Sequence, residues 1–187
     1  SFAFSPHAPY TVSDATLSRI AMLSGDLDMP VHMHLLETEW EIKQSLQQHD
    51  RHPLGRLEQQ GLLNSRLQAV HMAQLSEEDI DRVARSGAQV VHCPQSNLKL
   101  ASGFCPVASL QQAGVNVALG TDGAASNNDL DLLAEAQTAA LLAKGVSGDA
   151  RAGSARQIID MLTINGARVL GLADRIGSIE SGKQADF

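Results

Sequence analysis

The chain has 187 residues and a formal net charge of −7, from 14 Lys and Arg against 21 Asp and Glu. It has no clustered basic run for binding a nucleic-acid backbone, and no apolar stretch reaches the ~20 residues of a membrane-spanning helix. Nucleic-acid and membrane partners are therefore not expected. Cys93 and Cys105 form neither a CxxC motif nor a disulfide framework, which predicts two reduced thiols in or near the core.

Apolar strands alternate with amphipathic helices along the chain. The predicted strands are the end of a strand at 2–4 and whole strands at 30–36, 67–72, 88–93 and 115–119. The predicted helices cover 13–24, 39–48, 53–60, a segment opening at 76–79, then 107–113, 129–144, 155–165 and 167–172. Val-rich strands in such alternation favour parallel pairing and the α/β class. Four whole strands and part of a fifth amount to little more than half of a closed eight-stranded barrel, so either the rest is missing or the sheet is open.

Polar residues follow the carboxyl end of the strand at 30–36, where parallel α/β folds collect their functional groups. His34 lies on this strand and Glu37 comes three residues later. An imidazole that binds zinc beside a carboxylic acid that shuttles a proton suits deamination or related hydrolysis. A purely structural role fits these two residues equally well when they are taken alone. His32 shares a face with His34, and a packed, hydrogen-bonded histidine is expected there.

Two later strands end in the same way. His71 ends the strand at 67–72; alone, it is more typical of a hydrogen-bonded core histidine than of a catalytic group. Asp122 follows the fully apolar strand at 115–119 and precedes Gly123. This setting favours a ligand or base for Asp122 over a helix N-cap.

Two further histidines stand in loops or at strand ends. His7 lies in Ser-Pro-His-Ala-Pro-Tyr-Thr (5–11), where flanking prolines fix the backbone. Such a loop suits an imidazole that contacts substrate, with a plain turn as the alternative. His92 ends a strand that Pro94 is expected to stop, with a polar loop beginning at 96–97. A structural role is predicted for His92.

Several runs, taken in order, resemble the amidohydrolase superfamily and, within it, the 5-methylthioadenosine/S-adenosylhomocysteine deaminases. They are Ser-Pro-His-Ala-Pro-Tyr-Thr (5–11), Val-His-Met-His-Leu-Leu-Glu-Thr (31–38), Ala-Val-His-Met-Ala (69–73), His-Cys-Pro-Gln-Ser-Asn-Leu-Lys-Leu-Ala-Ser-Gly (92–103), Leu-Gly-Thr-Asp-Gly-Ala-Ala-Ser-Asn-Asn (119–128) and Ile-Gly-Ser-Ile-Glu-Ser-Gly-Lys-Gln-Ala-Asp (176–186). Ordered motifs over essentially the whole chain are far more specific than any one of them.

This resemblance implies a (β/α)₈ TIM barrel of the metal-dependent hydrolase type, of which about the second half is present. The family adds a small β domain assembled from both chain termini. Residues 1–173 would be the C-terminal portion of the barrel, and residues 174–187 would start the return to the β domain.

The resemblance also implies a reaction, the zinc-dependent hydrolytic deamination of 5-methylthioadenosine or S-adenosylhomocysteine to the inosine analogue and ammonia. His34 and Asp122 would bind one divalent metal, with Zn²⁺ expected and Fe²⁺ or Mn²⁺ also compatible. Glu37 would contact the substrate and shuttle a proton to its ring. His71 would orient the attacking water, Asp122 would share in proton transfer, and His7 would contact the substrate.

The same resemblance sets limits and leaves alternatives. The family's other two zinc ligands come from a His-x-His on the first barrel strand, so these 187 residues alone are expected to bind zinc weakly and turn over poorly. Alternatives are another amidohydrolase, such as a triazine chlorohydrolase or guanine-type deaminase, or a non-catalytic half-barrel. A small nucleoside or heterocyclic substrate, a cytoplasmic location and a homo-oligomer are expected, the last because an open barrel exposes strand edges.

Overall fold

A computed structural model describes residues 2–184 and contains a four-stranded parallel sheet. Its strands are adjacent in chain order: β1 (Val31–Leu35), β2 (Leu67–His71), β3 (Gln89–His92) and β4 (Val117–Leu119). A parallel bridge from Phe4 to Val31 adds the end of a further strand beside β1. The predicted α/β class and parallel pairing are confirmed.

Helices connect and cover the strands. They are α1 (Asp14–Asp26), α2 (Glu39–His49), α3 (Pro53–Gln59), α4 (Glu77–Ser86), α5 (Pro94–Lys99), α6 (Val107–Gln112), α7 (Leu132–Ser147), α8 (Ala155–Leu162) and α9 (Ile164–Val169), with a 3₁₀ turn at Pro9–Thr11. Within residues 2–184, none is long and apolar enough to cross a membrane.

Local capping chemistry explains where several helices begin. The Ser13 side chain accepts from the Thr16 N–H, which confirms the predicted N-cap of α1. Helix α7 starts later than predicted because the Asp131 side chain caps it, accepting from the N–H groups of Leu133 and Ala134. The prediction of a polar loop at 96–97 is wrong, because these residues lie in helix α5, which begins at Pro94. Proline suits the first helical position, where its missing N–H leaves no hydrogen bond unmade.

The two faces of the sheet pack differently because successive strand residues point to opposite sides. One face joins the helices in the large buried cluster, to which the strands contribute Val31, Met33, Leu35, Leu67, Ala69, Val90 and Val117. The other face forms a smaller cluster of Val70, Val91, Cys93, Ala118 and Val169. Gly120 permits close approach on this second side, because a Cβ there would lie 2.8 Å from Val91 Cγ1.

Two predictions concern the cysteines and the end of the chain. Cys93 and Cys105 are both free and buried, as the sequence predicts, and burial raises the pKa of each thiol. Residues 174–184 contain turns and bends, and residues 185–187 of the predicted return to a β domain lie outside the described residues.

Candidate active site

Three side chains from different strands converge at the carboxyl edge of the sheet. His34 on β1, His71 at the end of β2 and Asp122 after β4 each offer one ligand atom, and these atoms lie within 4.8 Å of one another. Parallel strands bring their carboxyl ends to the same edge, which explains how residues so distant in sequence meet. The sequence predicts His34 and Asp122 as metal ligands and His71 as the residue that orients water.

The His34 ring is fixed by the loop that carries His7. His34 Nδ1 lies 2.8 Å from the carbonyl oxygen of His7, which also accepts from the His34 backbone N–H at 3.1 Å. A carbonyl oxygen only accepts, so Nδ1 carries the ring proton and Nε2 keeps a free lone pair. Metal-binding histidines are commonly oriented by such a hydrogen bond from the other ring nitrogen.

The His71 ring is fixed in the same tautomer by Asn97. His71 Nδ1 lies 2.9 Å from Asn97 Oδ1, and His71 Nε2 lies 3.9 Å from Glu37 Oε2. Burial lowers the pKa of His71, although the charges of Glu37 and Asp122 and the Asn97 hydrogen bond oppose the shift. The neutral ring therefore presents an unprotonated Nε2 toward Glu37.

The Asp122 carboxylate is held through one of its two oxygens. Asp122 Oδ2 accepts from Ser96 Oγ at 2.7 Å and from Ser126 Oγ at 2.5 Å. Burial raises the pKa of Asp122, but the hydrogen bonds from Ser126, Ser96 and the Gly123 N–H outweigh it and bring the pKa below its ordinary value. Asp122 is thus stabilised as an anion with its second oxygen available to a ligand.

Helix α5 supplies two residues of this site that the sequence analysis missed. Ser96 and Asn97 are fully buried, and they contact Asp122 and His71 respectively. Pro94 at the first helical position was the available signal, since it is typical of a helix start as well as of a strand end. Sequence alone could not assign the contacts, because they depend on how α5 lies across the strand ends.

Glu37 lies over the cluster with few partners. Its side chain is 19% exposed, and Oε1 accepts a long hydrogen bond of 3.3 Å from Ser102 Oγ. Its other oxygen faces His71 Nε2. Glu37 therefore stands beside the three converging groups, and its roles in proton exchange and substrate contact stay predictions.

His7 lies at the outer rim of the cluster in a run of aromatic rings. Its ring meets that of His34 edge-on with centroids 4.9 Å apart, and that of Tyr10 at 6.0 Å. His7 Nδ1 lies 3.2 Å from Thr11 Oγ1 and the side chain is exposed. The ring is thus accessible beside the cluster, where a substrate contact is predicted.

The other two strand histidines lie outside the three converging groups. His32 is half-buried, with Nδ1 3.1 Å from Gln68 Oε1, which agrees with the expected packed histidine. His92 is buried, and desolvation lowers its pKa to about 3. His92 is therefore neutral, and its Nδ1 has no hydrogen-bond partner within residues 2–184.

The buried carboxylate of Glu135, on α7, hydrogen-bonds to the two segments that surround Asp122. Glu135 Oε2 accepts from the Gln95 N–H at 3.1 Å, and Oε1 accepts from Asn127 Nδ2. Asn127 Oδ1 in turn accepts from the N–H groups of Asp129 and Leu130. Glu135 thereby joins α5 to the loop after β4, the two segments that meet at Asp122.

The converging groups fit a divalent metal ion. Histidine nitrogen and carboxylate oxygen are the donor set that zinc takes at catalytic sites. His34, His71 and Asp122 each offer one ligand atom, while His34 Nδ1, His71 Nδ1 and Asp122 Oδ2 are hydrogen-bonded. The residues can thus hold such an ion while Glu37 stands beside it.

The sequence profile of the amidohydrolase family matches residues 2–187. The chain belongs to the amidohydrolase family. This membership agrees with the geometry, in which the site residues follow successive strands of a parallel sheet, and it confirms the predicted superfamily.

Individual amidohydrolases align along nearly the whole chain. The 5-methylthioadenosine/S-adenosylhomocysteine deaminase of Teredinibacter turnerae is 59% identical over 183 residues, which are 98% of this chain and 41% of the relative. A crystal structure of an adenosine deaminase from Xanthomonas campestris with bound zinc has a TM-score of 0.98 and 59% identity, covering 100% of this chain and 42% of that one.

A more distant amidohydrolase shares the fold. A mutant atrazine chlorohydrolase from Arthrobacter aurescens, complexed with zinc and atraton, has a TM-score of 0.92 and 27% identity, covering 98% of this chain and 41% of that one. The chain therefore spans about two fifths of the length of the relatives it matches. The described sheet is thus part of a barrel, as the sequence predicts.

Proposed function

We propose that these residues form part of the active site of a zinc-dependent deaminase of adenine nucleosides. The expected substrates are 5-methylthioadenosine and S-adenosylhomocysteine, the compounds named for the Teredinibacter turnerae relative. The observation that carries the proposal is the approach of His34, His71 and Asp122 to within 4.8 Å, with Glu37 3.9 Å from His71.

In this proposal His34 Nε2 and the free Asp122 oxygen hold the metal. When bound, a zinc ion supplies the Lewis acidity that makes water a nucleophile at neutral pH. The ion is proposed as Zn²⁺ because the Xanthomonas campestris structure carries it, with Fe²⁺ and Mn²⁺ as the other ions that this donor set accepts. Further ligands would come from a His-x-His pair on another strand of the complete barrel.

The protein side chains then manage protons around the substrate ring. In the net reaction a C–O bond to water forms at the amino-bearing ring carbon, the C–N bond breaks, and ammonia leaves. Glu37, whose carboxylate accepts a long hydrogen bond of 3.3 Å from Ser102, gives a proton to the adjacent ring nitrogen. His71 Nε2 accepts a hydrogen bond that orients the water, Asp122 takes part in the remaining proton transfer, and the exposed ring of His7 contacts the substrate.

The proposed function also implies an organisation for the complete protein. We propose that residues 1–173 are the C-terminal portion of a barrel and that residues 174–187 lead to a small β domain. A small nucleoside rather than a nucleic acid is the proposed substrate, in keeping with the net charge of −7. A cytoplasmic homo-oligomer is proposed for the complete protein.

Substrate profiling of the full-length polypeptide that carries these residues tests this function. Ammonia release is measured with 5-methylthioadenosine, S-adenosylhomocysteine, guanine and a chlorotriazine, alongside zinc content. We expect zinc and activity on the two adenosine compounds, and loss of both in His34→Ala and Asp122→Ala. Activity only on guanine or the triazine would identify a different amidohydrolase. A protein that holds no zinc and is unchanged by both substitutions would be a non-catalytic barrel.

A further inference from the structure

Glu41 is a buried carboxylate next to the active site that the proposed reaction does not use. It is 1% exposed and lies in the first turn of α2. A buried carboxylate must be well hydrogen-bonded, because desolvation of an unpaired charge is costly. The partners of Glu41 therefore indicate why it is there.

Both Glu41 oxygens bind the backbone immediately before the helix. Oε1 accepts from the Leu36 N–H and Oε2 accepts from the Glu37 N–H, each at 3.0 Å. A Glu at this third helical position commonly accepts from the N-cap residue, here Thr38. Glu41 instead reaches past Thr38 and binds the two residues that carry the chain out of β1.

The backbone that Glu41 binds is strained. Leu36 is a buried, non-glycine residue with φ 49°, in the left-handed region that L side chains rarely adopt. Such conformations persist only where surrounding contacts fix them. The Leu36 carbonyl is also bound, by the Gln74 N–H at 2.9 Å, so this residue is held on both sides. The turn at Leu36 places Glu37 over the cluster.

We infer that Glu41 is a positioning residue for the proton-transferring Glu37, which it orients by binding the N–H groups of Leu36 and Glu37. This inference rests on the proposed deaminase function. The backbone hydrogen bonds to Glu41 then fix the position of the Glu37 carboxylate, because within residues 2–184 its side chain accepts one hydrogen bond, from Ser102 at 3.3 Å. Displacement of a catalytic group by about 1 Å can cost about a hundredfold in rate.

A substitution pair on α2 tests the inference in the full-length protein. Glu41→Gln keeps one acceptor and replaces the other by a donor, so that one N–H loses its partner. Glu39→Gln is the matched control, because Glu39 lies in the same helical turn but is exposed and pairs with Lys43 on the helix surface. We expect Glu41→Gln to lower kcat about ten- to a hundredfold with little change in KM or zinc content, and Glu39→Gln to leave all three unchanged.

A double substitution separates positioning from a general structural role. If Glu41 acts through Glu37, Glu41→Gln will cost little further activity in a Glu37→Gln background. Equal losses in both backgrounds would overturn the inference. Absence of deaminase activity from the unsubstituted protein would instead contradict the proposed function.

Hydrogen exchange tests the clamp without any use of activity. At least one of the Leu36 and Glu37 amides is expected to exchange about tenfold or more faster in Glu41→Gln than in Glu39→Gln, since glutamine keeps only one of the two acceptor oxygens. Equal exchange in the two variants would overturn the inference whatever reaction the protein catalyses. Faster exchange spread over the whole chain would also overturn it, because that pattern indicates global destabilisation.

Discussion

The loops after β1 and β4 each place one acid at the carboxyl edge of the sheet, yet they hold it in opposite ways. Asp122 is held by its side chain, where Oδ2 accepts from two serine hydroxyls. Glu37 is held through its backbone, by the buried Glu41, while its own carboxylate has a single long hydrogen bond. Strong donors favour the ionised carboxylate, which is the form that binds a metal ion. The contrast supports the proposed division of roles, with metal binding by Asp122 and proton transfer by Glu37.

The largest effect is expected from neutralising the acid after β1. Glu37→Gln keeps the size of the side chain but removes its ability to exchange a proton, so kcat of the full-length protein should fall about 10²- to 10⁴-fold. Zinc content should not change, because Glu37 is not a proposed ligand. Metal analysis beside steady-state kinetics checks both statements. Loss of zinc from this variant would mean that Glu37, like Asp122, takes part in binding the metal.

The buried Glu41 gives the β1 loop a distinct pH dependence of stability. Burial raises the pKa of Glu41 from 4.5 to about 7, against the hydrogen bonds from the Leu36 and Glu37 N–H groups. The protonated form is therefore favoured by folding, and this stability is present below pH 4.5 and is lost as the pH rises through 7.

Glu41→Gln removes that titration, since glutamine stays neutral. The unsubstituted protein should lose stability between pH 4.5 and pH 8 that the variant keeps. The free energy of unfolding of the variant minus that of the unsubstituted protein should therefore rise by up to about 3 kcal/mol over this range. Urea titrations of both proteins at pH 4.5 and pH 8 measure the difference. Tyr10, Glu37, His49 and Arg56 also lie around Glu41, so the comparison uses the difference between the two proteins at each pH. A pH-independent difference would contradict the raised pKa.

The hydroxyl donors of the β4 loop are expected to matter for metal affinity rather than for proton transfer. Ser96→Ala with Ser126→Ala leaves Asp122 Oδ2 without both side-chain donors, which should weaken zinc binding about 10- to 100-fold. Competition with a chelator measures the affinity. Ser147→Ala serves as the control, because its hydroxyl lies at the end of α7, where it donates to the Ala143 carbonyl and accepts from the Asp149 N–H. Unchanged zinc affinity in the double variant would mean that these donors do not prepare Asp122 as a ligand.

The smallest effect concerns the tautomer of His71. Asn97→Ala removes the acceptor for the Nδ1 proton and should lower kcat about tenfold, whereas Asn97→Asp keeps an acceptor and should recover most of the loss. The ¹⁵N shifts of the His71 ring report the tautomer directly. If the tautomer is the same in all three proteins, Asn97 does not fix it.

The residues at the strand ends could be predicted from the sequence, but most of the side chains that hydrogen-bond to them could not. His34, His71 and Asp122 could be located because each follows an apolar run, and parallel strands carry their ends to one edge. Ser96 was placed in a loop because Pro94 was interpreted only as a strand stop. The role of Glu41 could not be predicted either. An acid in the first turn of a helix is ordinary, and nothing in an apolar Leu36 indicates a left-handed backbone.

The central claim is that His34 and Asp122 bind one metal ion beside Glu37. Anomalous diffraction at the zinc edge from crystals of the full-length protein tests it most directly. We expect a single strong peak per chain within bonding distance of His34 Nε2 and an Asp122 carboxylate oxygen, with Glu37 near it but not bound to it. A peak elsewhere, or zinc bound by Glu37 in place of Asp122, would show that His34 and Asp122 do not form the metal site.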